Sequence, residues 1–285
     1  MGSDGPAGSD LGSIAQVLRG TAEQVVREAA GFLRGLPRPW DGDPADGVTT
    51  KSTPTDVVTA SDHAVEQLVR TRIAALRPGE DVVGEEHGGH ARSGISWVVD
   101  PIDGTVNLLY GLPWYAISLA AVQDGASIAG AVIEPVSGRL WSAALGAGST
   151  CDGQPLRVSR RTDVSLALLG TGFSYRRQRR LRQARMVAGL LGSVRDVRRT
   201  GSAALDLCAV AAGWTDAYVE HGCSWWDWAA AALIASEAGA VVRTPEPPGI
   251  DPPDDGLGAD ALYAAAPGVA AELADLIRTH GAGTV

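Results

Sequence analysis

The sequence predicts a mixed α/β protein, with an α+β half over residues 11–160 and an α/β half over residues 161–285. Three observations predict it. Two amphipathic helical patterns open the chain. Short apolar runs joined by turn residues follow, as in an antiparallel meander. Strand-like and helix-like stretches then alternate, as in an α/β half.

Residues 1–10, mostly Gly, Ser, Asp and Pro without a basic start, read as a disordered tail and not as a signal peptide. Over 11–36, Ile14, Leu18, Ala22, Val25, Val26 and Ala29 recur at helical spacing. The Pro-, Gly- and Asp-rich stretch 37–47 reads as a mobile loop. A second helix over 61–76 places Val65, Leu68, Val69, Ile73 and Leu76 in one stripe and stops at Pro78-Gly79. Short strands follow at 81–83, 97–99, 116–122 and 128–133. Asp124-Gly125 supplies a hairpin turn between the last two, and Asp152-Gly153 supplies another. In the second half, strands at 166–169, 196–199, 216–220, 240–243 and 262–265 alternate with helices over 178–191, 202–212 and 227–238. A terminal helix runs to His280, and 249–260 reads as a low-complexity loop.

A formal net charge of -9 argues against nucleic acid as the main partner, because proteins that track phosphate backbones are usually basic. Cys151, Cys208 and Cys223 show no metal-type spacing and read as buried free thiols in a reducing compartment. The longest Ala-rich stretch, 228–242, is broken by Glu237 and is too short to cross a bilayer. The expected setting is cytoplasmic, without a membrane partner.

The chemistry sits in four acidic residues. In the segment from Trp97 to Asn107, an apolar run ends at Asp100, and Pro101 is expected to stop the strand there. Two intervening residues let Asp103 point back to the same place and turn the Ile102 carbonyl outward. Gly104 has no Cβ to block an approaching phosphate, and a helix opening at Thr105 would aim its N–H groups at that anion. The same Asp-x-x-Asp-Gly pattern also occurs in surface turns. Glu85, in Gly84-Glu85-Glu86, follows another strand, although paired glutamates in a turn are often just solvated. Asp227 lies among Trp225, Trp226 and Trp228, and also reads as a simple helix cap. Carboxylates gathered at the ends of apolar stretches are costly without a cation. Hard, oxygen-liganded Mg²⁺ meets that need. Metal-assisted phosphoryl chemistry is the resulting reading.

Four segments then resemble the inositol monophosphatase family in order and spacing. They are the run from Lys51 to Asp62, Gly84-Glu85-Glu86, the run from Asp100 to Asn107, and Trp226-Asp227-Trp228-Ala229-Ala230. Residues 201–220 resemble it too, and the whole is most similar to actinobacterial members. The resemblance covers roughly residues 11–280. It implies a layered αβαβα sandwich, usually homodimeric, that uses two to three Mg²⁺ ions, is inhibited by Li⁺ and hydrolyses inositol monophosphates by metal-activated water attack. Glu85, Asp100 and the Ile102 carbonyl would hold one metal. Asp100, Asp103 and Asp227 would hold a second, and Glu85 would help a third. Gly104 and Thr105 would seat the phosphate, together with Asp103 and Asp227. Glu220 would accept hydrogen bonds from substrate hydroxyls beside the Gly201-Ser202-Ala203 backbone. Thr105 and Asp62 would orient the attacking water, and Lys51 would lie on the mobile loop.

Ala231 stands where the resembling motif usually has Gly, Leu108 replaces an aromatic, and Ser224 occupies a variable position near the substrate. Rival substrates on similar scaffolds are histidinol phosphate, adenosine 3′,5′-bisphosphate and fructose 1,6-bisphosphate. A bisphosphate needs a second basic anchor, which the motifs do not show. A rival of another class is a non-catalytic metal-binding or regulatory protein. The six arginines over 176–185 read as a solvated helix face or mobile loop.

Overall fold

The computed structural model describes residues 7–37, 48–51, 57–91, 94–245 and 255–285. Its elements run α1 (Ala7–Gly35), β1 (Val48–Thr50), β2 (Val57–Thr59), α2 (Ala60–Leu76), β3 (Asp81–Gly84), β4 (Ile95–Asp103), α3 (Thr105–Leu109), β5 (Ala116–Gln123), β6 (Ala126–Ile133), β7 (Leu140–Ala144), β8 (Ser149–Cys151) and β9 (Gln154–Pro155). They continue with β10 (Leu168–Thr171), α4 (Arg177–Leu190), β11 (Asp196–Arg198), α5 (Ala203–Ala211), β12 (Ala217–His221), α6 (Trp225–Glu237), β13 (Val241–Arg243), β14 (Ala261–Ala265) and α7 (Pro267–Thr279).

Five layers result. Strands β3 to β9 form a seven-stranded sheet in sequence order, and a five-stranded sheet has the order β11-β10-β12-β14-β13. Helices α1 and α2 pack on one face of the large sheet, against Trp97, Val99, Ile117, Leu119 and Ala121. Helices α5 and α6 cover its other face, against Val98, Ala116, Ala120 and Val122, and also bury Tyr218, Leu262 and Ala264 of the small sheet. Helices α4 and α7 close the outer face of that sheet over Leu169, Val219 and Tyr263. Because β5 is covered on both faces, it is nearly all apolar, with Ser118 its one polar residue before Gln123, and shows no polar alternation. The predicted mixed α/β, αβαβα architecture is the one observed.

Both expected hairpins are present. Asp124 and Gly125 have φ of 51° and 83°, and Asp152 and Gly153 have 49° and 78°. These left-handed values match the twist of the flanking strands.

Other expectations are corrected. The α1 helix begins at Ala7, inside the stretch read as a tail. The expected strand at 166–169 starts later, after a short 3₁₀ turn at Val164–Leu166. The small sheet is mixed: β10 is parallel to β11 and β12, whereas β14 is antiparallel to β12 and β13. Only Cys208 is buried, while Cys151 and Cys223 are half-buried. Most of the loop expected over 37–47, and residues 249–254, lie outside the described residues. The close approach of α6 to β6 is made at Ala230, where a Cβ on Gly130 would stand 2.9 Å from the Ala230 Cβ. Ala231, one residue on, is fully buried. Among the described residues no helix is long and apolar enough to cross a membrane.

Candidate active site

Pro101 does not end its strand. Strand β4 continues to Asp103, but its register against β5 shifts between Asp100 and Asp103. A proline cannot donate to a ladder and is accommodated where pairing is already broken. The irregularity lets the Ile102 N–H donate to Asp100 Oδ1 at 3.0 Å. Gly104 then takes φ of 99°, and a Cβ there would lie 3.2 Å from the carbonyls of Gly201 and Trp114. The turn therefore requires glycine twice over, for its backbone angle and for its close packing.

Asp103 ties this turn to the next layer. Its Oδ2 accepts from Ser202 Oγ at 2.6 Å and from the Ala204 N–H at 2.7 Å, at the start of α5. Asn107 adds a second tie, donating to the carbonyls of Trp114 (2.6 Å) and Thr200 (2.9 Å). Asp227 is not the first residue of α6, as expected, but its third. It forms a capping box with Ser224, whose N–H donates to Asp227 Oδ2 at 2.7 Å.

Glu85 follows β3, which lies parallel to β4 and so delivers it to the same edge as Asp100. The loop is pinned from beneath by Glu66 of α2, a fully buried residue that the sequence reading missed. Its carboxylate accepts from the N–H groups of Glu86 (2.7 Å) and His87 (3.2 Å) and from Arg70 Nε (2.8 Å). Gly84 makes room for it, since a Cβ there would stand 2.2 Å from Glu66 Oε1. Lys51 Nζ reaches Glu85 at 2.7 Å and Glu86 at 2.6 Å.

Thr105 and Asp62 meet as expected. Asp62 Oδ2 accepts from the Thr59 N–H (2.8 Å) and hydroxyl (2.5 Å), while Oδ1 accepts from Thr105 Oγ1 at 3.0 Å. Thr105 Oγ1 also stands 3.0 Å from the Ile102 carbonyl. Glu220, at the end of β12, receives the Tyr218 hydroxyl and lies over Gly172, where any Cβ would collide with its carboxylate.

One cavity of about 500 Å³ collects these groups. Glu85, Asp100, Ile102, Asp103, Gly104, Thr105, Gly201, Ser202, Ala203, Glu220, Asp227 and Lys51 all line it. Asp62 is held behind Thr105. Burial drives the acids away from ionisation, and they reinforce one another. Glu85 is pushed up to about 7 by burial, against the pull of Lys51. Asp103 is pushed up to about 6 by burial, opposed by its bonds from Ser202 and Ala204. Asp100 and Asp227 rise well above the carboxylate range through burial and the charges of Glu85 and Asp103.

An all-oxygen donor set that destabilises its own charge fits hard divalent cations. Among the described residues, no group of three acidic, His or Cys side chains is already closed to metal-ligand geometry. The fit therefore rests on donor chemistry and on the shared cavity.

The chain matches the family model described as inositol monophosphatase family over residues 14–278. It is 51% identical over 280 residues to the inositol-1-monophosphatase of Mycobacterium leprae, covering 93% of this chain and 94% of that protein. A protein named Nus factor SuhB from Xylella fastidiosa is 39% identical over 188 residues, covering 66% of this chain and 68% of that one. The solved structure of Mycobacterium tuberculosis SuhB superposes with a TM-score of 0.78 at 42% identity, covering 94% of this chain and 98% of that one. Cavity, layer order and sequence agree: the chain belongs to the inositol monophosphatase family of phosphatases.

Proposed function

We propose that the protein releases phosphate from inositol monophosphates and uses two to three Mg²⁺ ions held by Glu85, Asp100, the Ile102 carbonyl, Asp103 and Asp227. The observation that carries this reading is the convergence of those donors with Gly104 and Thr105 in one cavity. When bound, the ions supply electrostatic stabilisation for the charge that develops on the transferring phosphoryl group and the leaving oxygen.

The remaining work falls to the chain itself. Gly104 and Thr105 open α3 and offer backbone N–H groups to the phosphate. Thr105 Oγ1 donates towards Asp62, so that as it takes a proton from the attacking water its own hydroxyl proton passes to the Asp62 carboxylate. Asp62, raised by burial although its bonds from Thr59 and Thr105 pull the other way, is suited to share that proton. Glu220 and the backbone of Gly201, Ser202 and Ala203 are placed to read the substrate hydroxyls. The expected working form is a cytoplasmic homodimer.

Phosphate release across a panel of phosphomonoesters, with Mg²⁺ and with or without Li⁺, tests the proposal. Inositol monophosphates should be turned over, and Li⁺ should suppress the reaction. The relative named as a Nus factor favours a second reading, a regulatory protein on the same scaffold. Absence of turnover on every panel member would favour that reading instead.

Glu220→Gln should change KM and the preferred inositol isomer more than kcat, because an amide still accepts one hydrogen bond from a hydroxyl. An equal loss for every substrate would remove Glu220 from hydroxyl recognition.

Metal binding should also show in stability. Glu85 and Asp103 are raised from 4.5 and 3.8 to about 7 and about 6 in the fold. Raised carboxyls favour the fold while protonated, so this contribution is largest below about pH 4 and is lost as pH rises towards 7. Thermal melts should therefore show a larger Mg²⁺-minus-EDTA shift at pH 8 than at pH 5. Equal shifts at both pH values would contradict binding at these acids.

A further inference from the structure

The same cavity is lined by three arginines that the mechanism does not use: Arg176, Arg179 and Arg199. Their placement follows from topology. Strands β10, β11 and β12 are mutually parallel, so the segments leaving their C-terminal ends share one edge of the small sheet. Arg199 follows β11, and Arg176 and Arg179 stand at the start of α4, which follows β10. That edge is where open α/β sheets take ligands.

The three are not explained as counter-ions alone. Among the described residues, Arg176 and Arg199 have no ion-pair partner within 4.0 Å. Both are exposed. Arg199 nevertheless lines the cavity beside the Gly201 turn, where a Cβ would stand 2.7 Å from its Nη1, and its charge is felt by Asp103, Asp206 and Glu220. Arg179 is set in place: one Nη donates to Asp260, and the guanidinium lies against Gly222, where a Cβ would stand 2.8 Å from its Nη1. Its Nε is buried and has no hydrogen-bond partner. Spare, fork-shaped donors at a ligand edge match phosphate oxygens in pairs, which a lysine cannot do.

We propose that Arg176, Arg179 and Arg199 form a second phosphate subsite, so that the preferred substrate is a polyol or sugar bisphosphate. This inference rests on the hydrolytic reading above. It answers the objection that the motifs offer no second basic anchor, since the fold assembles one from segments outside them.

The test uses matched pairs: myo-inositol 1,4-bisphosphate against myo-inositol 1-phosphate, and fructose 1,6-bisphosphate against fructose 1-phosphate. For at least one pair, kcat/KM should favour the bisphosphate by about tenfold or more in the wild type, as expected for charge-assisted bonds. In the Arg176→Gln/Arg199→Gln double variant, that ratio should fall to near one. Turnover of the monophosphates with ratios near one for both wild-type pairs would overturn the subsite and leave the phosphatase reading standing. A ratio unchanged in the double variant would also overturn it. If no member of either pair releases phosphate, both proposals fall together.

Discussion

Asp103→Asn is expected to lower kcat/KM for phosphate release by about 10²–10³-fold, the range seen when one electrostatic element of a catalytic site is removed. Folding should survive. An asparagine Oδ1 can accept the two bonds that Asp103 Oδ2 now takes from Ser202 and Ala204, so the tie between β4 and α5 persists. The substitution also removes one charge from a buried, mutually repelling group. The metal-free variant should therefore melt no lower than wild type when both are scanned in EDTA at pH 8. Near-normal turnover would remove Asp103 from the proposed metal set. A collapse of the melting temperature would recast it as structural.

Glu66→Ala is expected to have the largest effect on stability. The side chain is fully buried and holds two backbone N–H groups of the Glu85 loop as well as Arg70. Truncation leaves the two backbone N–H groups and Arg70 Nε without their acceptor, while the rest of the half-buried Arg70 guanidinium keeps the carbonyls of Val82 and Gly88. Leaving backbone donors without their charged acceptor costs about 1–3 kcal/mol. Activity should fall with stability, because Glu85 loses its support. Glu66→Gln, which keeps the shape and one acceptor oxygen, should recover part of both. Denaturant unfolding and phosphate release on the two variants check this, and an Ala variant as stable as wild type would refute the role.

The contrast between Asp103 and Glu66 shows what the sequence could reveal. Asp100, Asp103, Gly104 and Thr105 were legible because their chemistry is confined to one short turn, and spacing along the chain stands in for distance in space. Glu85 and Asp227 were legible as acids beside apolar runs, although the helix holding Asp227 opens two residues earlier than its composition suggested. Pro101 was misread as a strand end because a local rule cannot see that β4 breaks register at that point. Glu66 left a faint signal: with Asp62 and Arg70 it forms a series spaced four residues apart beside the apolar stripe of α2. The sequence offers no way to tell that this series turns inward to grip a loop. Arg179 and Asp260 lie 81 residues apart, and nothing local forecasts that they meet. The same holds for β13 and β14, whose antiparallel pairing depends on the path of the intervening chain.

The α5–α6 layer is shared property: one continuous apolar cluster runs from Val98 and Trp141 of the large sheet through these helices to Tyr218 and Leu262 of the small one. Neither sheet has a private interior on that side. Severing the chain between the two halves would strip the first of its lid and leave the second with a greasy, uncovered flank. Each half thus buries that apolar face only in company with the other.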